Sequence, residues 1–109
     1  MALSLNVFKT VTHVVTNTPT VIYTEPAGYT GVVLLAQVAN IGEYSQNISF
    51  IHRRISTDTE LLKNYPISAN DTANLLSGKL VLESGDSLVL SGSSETTLKF
   101  VSSILETLS

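Results

Sequence analysis

The chain has 109 residues, 43% of them hydrophobic and 14% charged, and its formal net charge is −3. This length suits a single domain, and the composition is too apolar for a disordered protein. The negative net charge argues against binding to nucleic acid, which is itself negatively charged. The absence of cysteine excludes disulfides and thiolate metal sites. The longest apolar run, 32–36, is far shorter than the roughly 20 residues that span a bilayer, and the N-terminus lacks the features of a signal peptide. We therefore expect a chain made in the cytoplasm that binds neither nucleic acid nor a membrane.

Short apolar stretches in the N-terminal part of the chain alternate with polar residues and are separated by turn formers, as in sandwiches and barrels. Alternation predicts strand structure within 3–15, and the β-branched and aromatic run at 20–24 predicts a strand closed by Pro26 and Gly28. The nearly continuous apolar block at 31–40 predicts a central strand that is buried on both faces.

The C-terminal part continues this pattern, with one exception. Alternation predicts a strand at 47–55, and a further strand is predicted at 60–67, ending near Pro66, which cannot donate to a central ladder. Asn, Asp and Gly residues predict a short helical turn over 70–77. Two strands around 84–86 are predicted to form a hairpin. The last segment, 98–108, fits a helical stripe or a strand, and we predict a strand because the edges of a sheet need partners.

These elements predict an all-β protein with one domain, 1–109. Its expected architecture is a single antiparallel β-sandwich, jelly-roll-like, with about seven or eight short strands and the one helical turn. The N-terminal segment 1–16 is expected to be either a strand or an arm that contacts a neighbouring subunit, because a segment rich in Ser, Asn and Val can add a strand to another sheet.

One motif suggests catalysis. The sequence Gly85-Asp86-Ser87-Leu88 is the signature of a family of serine esterases. A serine nucleophile needs a histidine that is oriented by a carboxylate. In the esterases with this motif, that histidine lies far downstream of the serine, in an Asp-x-x-His element. Here His13 and His52 both precede Ser87, and neither lies in such an element. We therefore interpret the motif as a turn, and we predict that the chain is not an enzyme.

The same two histidines bear on metal binding. Neither has a second ligand at a spacing of two or four residues, and the chain has no glycine-rich phosphate loop. We expect no metal and no cofactor.

Four side chains are candidates for binding a protein partner, namely Arg53, Arg54, Tyr29 and Tyr44. Arginine and tyrosine are enriched at protein interfaces. Neighbours in a strand point to opposite faces, so the two arginines are not expected to form one patch unless the strand bulges there. The alternative for the arginines is that they are solvated strand charges or form ion pairs with Asp58 and Glu60. An alternative for the tyrosines is a sugar-binding face shared by Tyr29, Tyr44 and Tyr65, and this would make the chain a carbohydrate-binding module for host adsorption.

The order and spacing of the turns carry a resemblance. The segment "TPTVIYTEPAGYTGVVLLAQVANIGEYSQNISF" (18–50) has a Tyr-Thr-x-Pro-x-Gly turn that leads into an apolar strand, an Asn-centred turn and a further strand. The segment "LLKNYPISANDTANLLSGKLVLESGDSLVLSGSS" (61–94) continues with a Pro-Ile-x-x-Asn-Asp element and a Leu-x-Leu-x-x-Gly-Asp turn. In these features the chain resembles small structural proteins of tailed bacteriophages, most of all those of marine cyanophages.

The resemblance implies a β-sandwich without catalytic residues that decorates or joins parts of a virion. Its partners would be phage capsid proteins or neck and tail proteins, and several copies of the chain would assemble on the particle. The position on the particle stays open between head decoration, a neck or collar piece, and a tail or baseplate component.

Overall fold

The computed structural model describes residues 6–108, which form two antiparallel sheets packed face to face. No helix is present in this range. The nine strands are β1 (Asn6–Val14), β2 (Thr20–Thr24), β3 (Tyr29–Asn40), β4 (Gln46–Arg54), β5 (Thr57–Ile67), β6 (Asp71–Asn74), β7 (Leu80–Leu82), β8 (Ser87–Gly92) and β9 (Leu98–Leu108).

The first sheet, called sheet A, has the strand order β1-β9-β3, and the two short strands β6 and β7 both pair with the far edge of β3. The second, sheet B, has the order β2-β8-β4-β5. The strands are thus distributed between the sheets in the order of a jelly roll, with β6 and β7 together in the place of one strand. The predicted β-sandwich is confirmed, with nine strands instead of seven or eight.

The core lies between the sheets and follows the alternation of the sequence. On β4, Ile48 and Phe50 point inward, and Phe50 packs against Phe100 of β9 with ring centroids 6.0 Å apart. The segment 98–108 is a strand, as predicted, because every second residue from Leu98 to Glu106 is buried between the sheets. This two-residue period is what a half-buried strand requires.

The predicted helical turn over 70–77 is wrong. Asn70 adopts a positive φ of 59° within a turn that is closed by the bond from the Asp71 N–H to the Ser68 carbonyl (3.2 Å). Asparagine tolerates this left-handed conformation, and the chain leaves the turn extended, as β6, which pairs with β3. Leu75 is nevertheless buried in the core.

Two further predictions need correction. The strands around Ser84-Gly85-Asp86 are not a hairpin, because β7 belongs to sheet A and β8 to sheet B, so the turn between them joins the two sheets. Gly85, with φ of 88°, and the bond from the Asp86 N–H to the Glu83 carbonyl have the pattern of a type II turn. Strand β3 is central in its sheet but is not buried on both faces, because sheet A is covered on one side only, and Leu34 and Leu35 are exposed.

The N-terminal strand belongs to its own sheet. Residues 6–14 pair with β9 in an unbroken register from Asn6–Thr107 to Val14–Lys99. The remainder of the expected N-terminal arm, residues 1–5, lies outside the described residues, and its contact with a neighbouring subunit stays a prediction.

Candidate assembly surface

The turn between β7 and β8 is held by the buried carboxylate of Asp86, whose side chain is 1% exposed. Its Oδ1 accepts a hydrogen bond from Arg54 Nε (2.9 Å), and its Oδ2 accepts bonds from Arg54 Nη2 (2.8 Å) and the Glu83 backbone N–H (2.9 Å). His52 Nε2 also lies 2.9 Å from Oδ2. The hydrogen bonds from Arg54 are the main reason that the pKa of Asp86 is well below its usual range.

This cluster closes one end of the sandwich. The carbonyl of Asp86 accepts a bond from the Glu25 N–H (2.8 Å), and the carbonyl of Glu25 accepts one from the Gly85 N–H (3.0 Å). The side chains of His52 and Arg54 come from β4, so the turn is tied both to β4 and to the end of β2. Both oxygens of the Asp86 carboxylate accept hydrogen bonds from other groups of the chain, and these bonds hold the turn in place.

The two candidate arginines lie on opposite faces of β4, as the sequence predicted. Arg53 is on the outer face of sheet B and makes a bidentate ion pair with Asp58 of β5, at 2.6 Å from Nε and 3.1 Å from Nη2. Arg54 points to the inner side, where it contacts Asp86 and also Glu83 (3.0 Å). Both guanidinium groups therefore have carboxylate partners within the chain.

Ser87 is not placed as a nucleophile. Its hydroxyl contacts the hydroxyl of Thr24 (3.0 Å) on the outer face of sheet B, whereas His52 points inward from β4 and contacts Asp86. A histidine–carboxylate pair is thus present, but the serine that follows Asp86 lies on the other face of the sheet. His13 is on β1, and its buried Nε2 has no hydrogen-bond partner among the described residues.

The tyrosines are spread over the molecule. Tyr29 begins β3 and Tyr44 follows its end, and the twelve residues of this strand separate them by roughly 35 Å. Tyr65 lies on β5 in the other sheet. The separation of Tyr29 from Tyr44 does not favour a sugar-binding face shared by all three rings.

A second buried polar cluster was not predicted from the sequence. The hydroxyl of Tyr23 donates a hydrogen bond to Glu106 and lies 3.2 Å from Glu25 Oε1, and Lys9 Nζ lies 3.2 Å from Glu106 Oε1. Both carboxyl groups are almost completely buried. Burial raises the pKa of Glu25, and the neighbouring Glu106 adds to the effect while the hydrogen bond from Tyr23 opposes it. Burial, with the hydrogen bond to Glu106, also raises the pKa of Tyr23.

The second cluster joins three strands that are distant in the sequence, since Lys9 lies on β1, Tyr23 on β2 and Glu106 on β9. Gly31 makes room for it, because a Cβ atom at this position would lie 1.9 Å from Glu25 Oε1. Glu25 Oε2 has no hydrogen-bond partner among the described residues. A protonated Glu25 fits this arrangement, because a neutral carboxyl oxygen loses less on burial than a charged one.

Neither cluster forms a metal site. Within residues 6–108 no three His, Cys, Asp or Glu side chains are grouped so that they could hold a metal ion. The same range contains no helix long and apolar enough to cross a membrane.

The outer face of sheet A is open and nearly uncharged. The register places Phe8 beside Leu105, Leu105 beside Val32, and Val32 beside Val81, so that one apolar row crosses β1, β9, β3 and β7. Phe8 is 74% exposed and Val81 is 55% exposed. Next to this row, a shallow groove of about 560 Å³ runs over the ends of the same three long strands, lined on this face by Thr12, Val14, Gln37, Ala39, Lys99 and Val101. Among the described residues of sheet A, Lys99 is the one charged side chain on this outer face.

The four sheet edges differ in how they are protected. An unpaired edge strand is a template for another chain, and proteins block it with short strands, proline, charges or bulges. Strand β2 is five residues long and has a register shift, and β6 and β7 have four and three residues. Strand β5 contains Pro66, several charged residues and two register shifts against β4.

Strand β1 has none of these protections except Lys9. Its nine residues contain no proline and no register shift, and within residues 6–108 it pairs with β9 alone. The ammonium group of Lys9 is drawn to Glu106. The outer edge of β1 is therefore the sheet edge most open to another strand.

Comparisons with known proteins concern the fold. A solved structure from work entitled "Bacillus endospore appendages form a novel family of disulfide-linked pili" superposes with a TM-score of 0.52 and 13% sequence identity, over 95% of this chain and 88% of that chain. No protein-family model matches the sequence, and no curated protein matches it. At this identity the likeness shows a similar fold and nothing further.

Proposed function

We propose that the chain is a non-catalytic structural protein of a tailed-phage virion, and that it assembles in several copies as a decoration or accessory subunit on the head, neck or tail. The observation that carries the proposal is the combination of the open β1 edge with the nearly uncharged outer face of sheet A. The assignment to a phage particle rests on the resemblance of the sequence to small structural proteins of tailed bacteriophages.

The surface fits a protein that works beside neighbours. The cores of protein interfaces are depleted in charged residues, and large exposed apolar patches mark interaction sites. The apolar row Phe8-Leu105-Val32-Val81, with Phe8 and Val81 exposed, is the candidate for such a contact, whereas the outer face of sheet B carries the Arg53–Asp58 ion pair. The two faces of the sandwich thus suit different surroundings, a neighbouring protein on one side and water on the other.

The polar groups of the chain support a structural role. Asp86 has partners within the chain at both carboxylate oxygens and holds a turn in place, and the contacts of Tyr23 and Lys9 with Glu106 join three strands. These contacts stabilise the frame that presents the surface.

The similar fold of the Bacillus appendage subunit supports assembly in general terms, because that family is described as pili. Its members are also described as disulfide-linked. The present chain has no cysteine, so the contacts between its copies would be non-covalent and would depend on strand pairing and apolar burial.

The test is quantitative mass spectrometry of purified virions from the phage that encodes the chain, combined with imaging of particles that carry the chain and particles that lack it. Hundreds of copies over the head would identify a decoration protein, and a small multiple along the tail axis would identify a neck or tail component. Absence of the chain from virions would overturn the proposal, and specific binding of the free chain to a host glycan would then favour the carbohydrate-binding alternative.

A further inference from the structure

We infer that the β1 edge binds the β1 edge of a second copy of this chain, antiparallel about a two-fold axis that passes through Val11, so that the two A sheets become one continuous sheet. The inference rests on the proposed function, because it names the partner and the register of one contact in the assembly. A two-fold contact uses the same surface on both subunits, and an edge strand that pairs with itself satisfies this condition.

The faces of the sheet limit the possible registers. Even-numbered residues of β1 lie on the outer face, as Phe8 does beside Leu105, and odd-numbered residues point inward, as Val11 does beside the buried Ser102. Shifting a strand by one residue brings outer side chains beside inner ones. Registers that keep the faces aligned therefore differ by steps of two residues along the partner strand.

Among these registers, the axis at Val11 gives the best pairs on the outer face. It places Phe8 opposite Val14 of the second copy, and Thr10 opposite Thr12 of the second copy. Phe8 and Val14 are the exposed apolar side chains of this strand, and aromatic–β-branched pairs and threonine pairs are favourable across antiparallel strands. An axis at Thr10 would place Phe8 opposite Thr12 and Val14 opposite Asn6, which leaves both apolar side chains beside polar ones.

The same register avoids repulsion between like charges. Lys9 is the charged residue of β1, and it would face His13 of the second copy instead of another lysine. Its ammonium group stays paired with Glu106, beneath its own sheet. The inner side adds a contact between Val11 and its symmetry mate, next to the core.

Cysteine pairing tests this register, because the chain has no cysteine of its own. Two variants, Thr10→Cys and Thr12→Cys, are made with tags of different mass and are oxidised separately and as a mixture. Directly opposed residues of antiparallel strands have Cα atoms about 4.5–5.5 Å apart, which suits a disulfide. We expect the mixed disulfide between the two variants to form in clear excess over either homodimer.

The matched control is Thr59→Cys, which also lies on an edge strand and is also exposed. It is expected to cross-link to Thr10→Cys only at the background rate. Excess homodimers of Thr10→Cys would move the axis to residue 10 and overturn the proposed register. Cross-linking no faster than that of the Thr59→Cys control would overturn the contact itself.

A charge exchange tests the same contact without oxidation. Phe8→Glu and Val14→Lys are each expected to weaken self-association in sedimentation velocity by at least about tenfold, and their mixture is expected to restore it, because the two new charges face each other. Thermal unfolding of each variant shows whether the fold is intact. A chain that stays monomeric at all concentrations, or a mixture that does not associate better than its components, refutes the inference.

Failure here and failure of the proposed function are distinguishable. If virions contain the chain but the cross-links do not form, the structural role stands and the partner of β1 is another protein. If the cross-links form but virions lack the chain, the two-fold contact stands and the phage assignment fails.

Discussion

Replacing Asp86 with asparagine should test whether the turn between the two sheets depends on a buried charge. The substitution keeps the size of the side chain but removes its negative charge and replaces one acceptor oxygen with a donor. If the amide oxygen takes the Oδ2 position, Arg54 Nε then faces an NH₂ group. Arg54 and His52 lose the carboxylate that holds them.

The cost follows from these contacts. A hydrogen bond to a charged group contributes about 1.5–3 kcal/mol, and removing one partner of a buried ion pair costs about 3–5 kcal/mol. Arg54 is 49% exposed and can be rehydrated in part, which reduces the loss. We therefore expect Asp86→Asn to lower the free energy of unfolding by about 2–4 kcal/mol. With about 4 °C per kcal/mol for a domain of this size, Tm should fall by roughly 8–16 °C.

The assay is urea and thermal unfolding at pH 7, followed by circular dichroism. Asp58→Asn is the matched control, because Asp58 also makes a bidentate pair with an arginine but lies at the surface, where such pairs contribute little. We expect no resolvable change for the control. The reasoning is refuted if Asp86→Asn costs no more than Asp58→Asn.

The pH dependence provides a second readout of the same residue. The pKa of Asp86 in the folded chain lies below its ordinary value of 3.8, so its stabilising contribution is fully present above that value and is lost as the pH falls toward the folded pKa. The difference in stability between the wild type and Asp86→Asn should therefore be largest at neutral pH and should shrink below pH 3.8. A difference that does not change with pH would show that the charge is not responsible.

Three other substitutions have defined outcomes. The pKa of Glu25 is raised, so the stability from burying its neutral form is present below the ordinary value of 4.5 and is lost as the pH rises through the folded pKa. Urea unfolding at several pH values should show that Glu25→Gln removes this decline in stability. Stability curves of the wild type and Glu25→Gln that run parallel against pH would contradict this. Gly31→Ala should cost about 1–3 kcal/mol, because its Cβ meets Glu25, and the cost should shrink in a Glu25→Ala background. Gly85→Ala should cost about 1–2 kcal/mol because of its positive φ, whereas the control Gly78→Ala, with open space around it, should be nearly neutral in the same thermal assay.

Most strands could be predicted from the sequence because alternation is a local property. The segment at 47–55 alternates in this way and lies almost entirely in β4. The segment at 98–108 also fitted a helical stripe, and its strand followed from the need to pair the sheet edges. The error at 70–77 arose because asparagine and aspartate favour both helix caps and turns. Only the pairing of 71–74 with β3, more than thirty residues earlier in the chain, decides between the two.

The candidate surface shows the same division. The sequence predicted that Arg53 and Arg54 point to opposite faces, since this follows from the geometry of one strand. It also offered Asp58 and Glu60 as carboxylate partners: Asp58 does pair with Arg53, but Arg54 pairs with Asp86 and Glu83 instead of Glu60. The sequence singled out neither Glu25 nor Glu106. Their burial depends on Tyr23 and Gly31, which approach them from other strands.

By itself, therefore, the amino-acid sequence determined that this protein is an all-β sandwich, because a two-residue period interrupted by turn formers is compatible with little else. The tertiary structure decided which sheet each strand joins, that β7 and β8 belong to different sheets, and which sheet edge stays unpaired. These features depend on contacts such as that between β1 and β9, at opposite ends of the described chain. Partners so far apart share no local signal, and their choice is made by the burial of both sheets at once.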